Sequence, residues 1–210
     1  QIYNILGLVY AELGDEKQAE ENFRRGLELA PSDSEIHHNW GWYLCTHGRP
    51  RESIAEFEAA LRNPLYRAPE SALINAGKCS AQAGDLAAAD QYFRRALALK
   101  PGNPVAAYNL ALLSYRGGRL DDARAILETW AEQEREQLHA PRAIRETLLI
   151  LSLIYSMQGD ARQAYESAQQ SIELGARFDS PFVTGVGYMR LGHANQIRGE
   201  LQAALDAYQQ

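Results

Sequence analysis

The sequence predicts an all-α fold, an α-solenoid of antiparallel helix pairs stacked in series. Three observations predict it. Glycines recur at Gly14, Gly48, Gly84, Gly118, Gly159 and Gly199. Each follows a helix-periodic stretch, where a left-handed residue closes a helix. A small residue precedes each of the first four by two turns, at Gly7, Gly41, Gly77 and Ala111, so two helix backbones can cross closely there. A bulky apolar residue follows each turn at Phe23, Phe57, Phe93 and Leu127, placed to fill the space between helices.

Residues 36–61 show one unit most clearly. The first helix carries Trp40, Gly41 and Leu44, His47-Gly48-Arg49 turns the chain, and the second helix carries Ile54, Phe57 and Ala60. Small residues repeat at Ala19, Ser53, Ala89 and Ala123, and again at Gly26, Ala60 and Ala96. Pro31, Pro64 and Pro101 stop the second helices, because proline cannot continue the hydrogen-bond ladder. Gly14 to Gly48 and Gly84 to Gly118 are each 34 residues, and Gly48 to Gly84 is 36, the extra two lying in the loop 63–69. One pair cannot bury its apolar face alone, so units must stack.

Past Trp130 the pattern lengthens. Trp130 stands where Gly26, Ala60 and Ala96 stood and is too large for the same crossing. A polar helical stretch continues over residues 131–139, its Glu132, Glu134, Arg135 and Glu136 reading as a solvated face. A helix opens at Pro141 and runs to Met157, followed by a turn at Gln158-Gly159-Asp160 and a partner helix over 161–174. Ser180 is expected to cap a helix that begins at Pro181 and ends at Ile197, and a last helix covers 202–208. The glycine spacing is now 41 and then 40. The expected organisation is four short-pitch repeats over residues 1–130 and two longer ones over 131–210, the last incomplete. Trp130 is expected to be buried between the fourth unit and the helix from Pro141. The chain opens inside a helical pattern and stops mid-helix, as a part of something longer would.

Composition narrows the function classes. The chain has 210 residues, a net charge of -6, 46% hydrophobic and 23% charged residues, ordinary for a globular protein. No basic stripe follows any helix, so nucleic acid is not an expected partner. The longest apolar run, 147–155, is too short for a membrane span. No nucleophile, base or paired-carboxylate constellation stands out, so a non-enzymatic protein without cofactor is expected. His37, His38 and His47 do not make a metal site, because adjacent helical side chains point about 100° apart. The glycines Gly185, Gly187 and Gly192 lie in a helical pattern without a preceding strand, which weighs against a phosphate loop.

Residues 1–128 match the 34-residue tetratricopeptide repeat, so the chain is expected to be a right-handed tetratricopeptide-repeat superhelix. Within that class, several segments resemble the type IV pilus biogenesis lipoproteins of the PilF/PilW family. These are Asn39-Trp40-Gly41-Trp42-Tyr43-Leu44-Cys45, Gly48-Arg49, Asn63-Pro64-Leu65-Tyr66 and Asn75-Ala76-Gly77-Lys78-Cys79. The resemblance implies a periplasm-facing adaptor on the outer membrane that helps a secretin assemble or stabilises the pilus. The later segments Ser180-Pro181-Phe182-Val183 and 187–194 look more like the long repeats of MalT-type, LuxR-class transcription regulators. That resemblance implies a cytoplasmic effector-sensing segment. A third reading is an engineered fusion of two repeat proteins through a helix near residues 126–137, with no natural function.

The candidate site is the concave groove lined by first helices, expected to hold a protein or an extended peptide. Helical spacing places His38, Asn39 and Trp42 there from the second unit, Asn75 and Lys78 from the third, and Tyr108, Asn109 and Leu112 from the fourth. Asn39, Asn75 and Asn109 share one repeat position, and a ladder of amides can donate to and accept from a peptide backbone. Trp42 and Tyr108 are of the type that anchors interfaces. The Lys/Arg set that would clamp a chain-terminal carboxylate is absent at these positions. Cys45 and Cys79 sit on adjacent first helices, whose axes pack about 8–10 Å apart. A disulfide and a pair of buried thiols are both open.

Overall fold

The computed structural model describes residues 1–137 and 141–210. Every regular element among them is an α-helix: α1 (Ile2–Glu12), α2 (Glu16–Leu29), α3 (Ser34–Thr46), α4 (Pro50–Leu61), α5 (Pro69–Gln82), α6 (Leu86–Leu99), α7 (Pro104–Arg116), α8 (Leu120–Gln137), α9 (Pro141–Met157), α10 (Ala161–Arg177), α11 (Pro181–Ile197) and α12 (Leu201–Tyr208). The fold is therefore the expected all-α array of helix pairs. Helices α1 to α7 have 11–14 residues, and α8 to α11 have 17–18. The chain divides into two compact units, residues 1–106 and 107–210.

Local chemistry sets the helix ends. All six turn glycines have positive φ, between 74° and 86°, a region that carries little cost only without a Cβ. At the first turn the N–H of Asp15 reaches back to the carbonyl of Tyr10 at 2.9 Å, and Arg49 repeats this on Leu44 at 2.9 Å, the signature of a left-handed helix stop. Four helices start on an aspartate cap. Asp15 accepts from the Gln18 amide, Asp33 from Glu35 and Ile36, Asp85 from Ala88, and Asp160 from Gln163. Such a cap contributes about 1 kcal/mol. These Gly-Asp and Ser-Asp junctions were visible in the sequence but were not among the expected caps.

The core follows the repeat. Ala19, Ser53, Ala89 and Ala123 are fully buried, as are Phe23, Phe57 and Leu127. A Cβ on Gly77 would lie 2.6 Å from the Phe93 ring, and one on Gly7 would lie 2.9 Å from Phe23. The glycine is thus the hollow that receives the next helix's aromatic. In the first unit Phe23 tilts against Trp40 and Tyr43, with ring centroids 5.3 and 5.7 Å away. In the second unit Ala111, Ala123, Leu127, Leu151, Ile154 and Ala164 share one cluster. Trp130 is 2% exposed, the burial expected of it.

Three boundaries differ from expectation. Helix α10 continues three residues past 174 because Gly175 packs against Thr184 from inside the helix, and the stop comes at Phe178 and Asp179, the latter at φ 48°. Helix α12 starts at Leu201. Ser180 occupies the cap position of α11, but its side chain makes no capping bond; Pro181 supplies the first helical residue instead. Gly185, Gly187 and Gly192 lie inside α11, where Gly187 faces Ile172 and Gly192 faces Tyr208. His139 and the side chains of Glu134, Arg135 and Glu136 lie outside the described residues.

Candidate functional site

The first helices α1, α3 and α5 pack side by side, and polar bonds tie them at matched repeat positions. Asn39 donates its amide to Asn4 Oδ1 at 3.1 Å, joining α3 to α1. Asn75 stands at the same position one repeat later, and its Nδ2 lies 3.2 Å from His38 Nε2, joining α5 to α3. Both amides reach the residue three before the crossing glycine of the preceding repeat. His38 Nδ1 lies 2.7 Å from the Tyr66 hydroxyl. Tyr66 lies in the loop 63–69 that holds the two extra residues and is 8% exposed. If Asn75 donates to Nε2, the proton of the neutral ring sits on Nδ1 and points at Tyr66. Burial holds the His38 pKa below its ordinary value, favouring that neutral form.

A covalent tie lies nearby. Cys45 on α3 and Cys79 on α5 form a disulfide, with Cα atoms 5.9 Å apart. Both residues are buried. The two helices that carry most of the candidate residues in this unit are therefore joined covalently and by side-chain bonds.

Over this braced wall the residues after each crossing glycine point outward. Leu8 and Trp42 are 38% and 41% exposed, and Lys78 takes the same place on α5, half-buried. Trp42 is the exposed tryptophan, whereas Trp40 and Trp130 are buried. The structure thus brings His38, Asn39, Trp42, Asn75 and Lys78 together on α3 and α5. In the second unit, α7 carries Tyr108, 39% exposed, with Asn109 and Leu112 half-buried. The sequence reading missed Asn4 and Tyr66. Asn4 could have been found by asking what stands one helix back from Asn39, and Tyr66 by its aromatic ring in the lengthened loop.

The opposite face of α3 carries a pH-sensitive tie. His37 Nδ1 lies 2.7 Å from Glu56 Oε2, and Nε2 lies 2.9 Å from the Pro31 carbonyl. Two acceptors demand two ring protons, and the Glu56 bond raises the His37 pKa despite the opposing effect of burial. The stability gained is complete below the ordinary value of 6.5 and is lost as pH rises through the raised one. Thermal melts should therefore show His37→Gln costing under about 1 kcal/mol at pH 6 and progressively less toward pH 8.5. A cost that is constant across that range would mean the ring is neutral.

Sequence patterns of the tetratricopeptide-repeat family match residues 1–33, 38–104 and 80–145, and the chain belongs to that family. Among individual proteins it is similar to the structure of PilW, described as a widely conserved type IV pilus biogenesis factor. The two are 33% identical with a TM-score of 0.66, over 87% of this chain and 79% of that one. The structure of Pseudomonas aeruginosa PilF covers 98% of this chain and 87% of its own, with a TM-score of 0.69 and 20% identity. By sequence, the type IV pilus assembly protein PilF of Pseudomonas aeruginosa (strain PAO1) is 26% identical over 127 residues, 60% of this chain and 50% of PilF. Cellulose synthase operon protein C of Pseudomonas fluorescens (strain SBW25) is 31% identical over 152 residues, 68% of this chain and 12% of that protein. The chain thus spans half or less of the length of these curated relatives. Among the described residues no helix is long and apolar enough to cross a membrane.

Proposed function

We propose that this chain is a non-enzymatic scaffold of type IV pilus assembly that holds an extended protein segment against its first helices. One observation carries the reading: the exposed Trp42 projects from a wall whose helices are locked together beneath it. A rigid surface loses little conformational freedom on binding, and an exposed aromatic anchor supplies contact energy. Asn39 and Asn75 spend one donor each on the wall and keep their remaining amide atoms for a peptide backbone. Tyr108, Asn109 and Leu112 offer a comparable patch on α7. The likeness to PilW supplies the pilus assignment, and the disulfide fits an oxidising compartment such as the periplasm. The division into four short and two long repeats belongs to this proposal. The PilW and PilF structures match 87% and 98% of this chain, which supports reading its short and long repeats as parts of one array.

The test replaces PilF in Pseudomonas aeruginosa with this chain and scores surface pili. The unsubstituted chain should restore them. Trp42→Ala combined with Asn75→Ala should not, while helicity by circular dichroism stays unchanged. Restoration by the double variant would remove this face from the site. No restoration by the unsubstituted chain would sink the pilus assignment.

A further inference from the structure

The loop 63–69 is built to hold one shape. Pro64 fixes its own φ. The Asn63 side chain accepts from the Leu65 N–H at 3.0 Å, and the Asn63 carbonyl accepts from the Tyr66 N–H at 3.1 Å. This turn holds Leu65 out, 84% exposed, between the exposed Arg62 and Arg67, and turns Tyr66 inward. The Tyr66 hydroxyl ends 2.7 Å from His38 Nδ1, and Asn75 Nδ2 stands 3.2 Å from Nε2. His38 is thus the joint that fastens the loop to α3 and α5.

The joint suits a neutral ring. Neutral imidazole has one N–H and one acceptor nitrogen, whereas imidazolium has two N–H groups and no acceptor. Protonation therefore removes the acceptor that serves the Asn75 amide. Turning that amide over restores a bond but leaves a buried charge without a counter-charge. The two side-chain bonds to the ring come from a hydroxyl and an amide, neither a carboxylate. Phe57 on α4 meets the ring edge-on with centroids 5.7 Å apart, and Tyr66 lies at 6.1 Å. Glu56 on α4 is taken by His37. Glu35 on α3 and Glu70 on α5 act on Tyr66, whose pKa burial and these carboxylates hold well above its ordinary value. Helices α1 and α2 meet α3 through Asn39, Trp40 and Tyr43. A charged His38 ring is best accommodated by turning to water, and that parts it from Tyr66.

We propose that His38 is an acid-released fastening for the loop 63–69: its neutral ring pins Tyr66, and its protonated ring lets the loop swing away from α3 and α5. The bond between Cys45 and Cys79 keeps the two helices together meanwhile, so the response is confined to the loop that carries Leu65. The device does not depend on the scaffold reading. With the loop open, the ring has the ordinary value of 6.5; with it closed, burial lowers that value. Closure is therefore at full strength above 6.5 and weakens up to about tenfold per pH unit below it, until the lowered value is passed.

Hydrogen exchange of the whole chain, read by NMR and corrected for the intrinsic rate at each pH, tests this. Protection of the Leu65 and Tyr66 amides should be level from pH 8.5 to 7.5 and fall about five- to tenfold between pH 7.5 and 5.5. Amides within α3 and α5 should keep theirs. His38→Gln offers a donor and an acceptor at every pH, so its loop protection should stay level throughout. Level protection in the unsubstituted chain would overturn the proposal, as would a parallel loss in α3 and α5. So would the same fall in His38→Gln, which would assign it to Glu35 or Glu70. If His38→Gln does not fold, Tyr66→Phe makes the distinction: without the hydroxyl, loop protection should be low at every pH.

Discussion

Phe23→Ala will cost the first unit about 3–5 kcal/mol. Phe23 is fully buried, lies against Trp40 and Tyr43, and fills the hollow over Gly7. Truncation leaves a cavity bounded by two helices that meet through this ring. Gly7 has no side chain with which to close it, and Trp40 and Tyr43 are already stacked on each other at 5.4 Å. The cost should sit at the upper part of the large-to-small range because none of these neighbours can move in cheaply. Urea unfolding followed by tryptophan fluorescence measures it, Trp40 reporting from the same cluster. A loss below about 1 kcal/mol would mean the α1–α3 packing collapses around the gap.

Opening the disulfide is the second large effect. The bond closes a loop with a sequence separation of 34, for which restriction of the unfolded chain is worth about 3–4 kcal/mol. Cys45→Ala with Cys79→Ala should therefore lower the stability of the first unit by roughly 2–4 kcal/mol. Alanine is small enough for both buried sites, so strain adds little. Reductant should destabilise the unsubstituted chain and leave the double variant unaffected. Two titratable thiols in the denatured, unreduced protein would show that the bond does not form.

The repeat was legible because it rests on single positions with single physical demands. Gly14 and its five equivalents had to adopt positive φ, and they do. Gly77 had to leave room for Phe93, and it does. Trp130 could not repeat the Gly26 crossing, and it is buried in longer helices. Side-chain partners were less legible. Asn39 and Asn75 read as a ladder facing a ligand, yet each donates to the helix before it. That pairing depends on the stagger between helices, which periodicity along one helix does not contain. Tyr66 escaped for a related reason: it lies in the loop 63–69, whose changed length leaves no fixed repeat position to compare with.

The bond between Cys45 and Cys79 also governs how the chain answers a pull. Stacked repeats can peel away one pair at a time, each releasing its length like a turn of a spring. Here the segment between the two sulfurs, which contains the whole of α4, lies outside the load path. Tension applied at the ends runs through the sulfurs, and roughly 110 Å of contour is never paid out. Under load the chain would keep α4 and most of α5 as a fixed block while the helices outside the sulfurs absorb the extension.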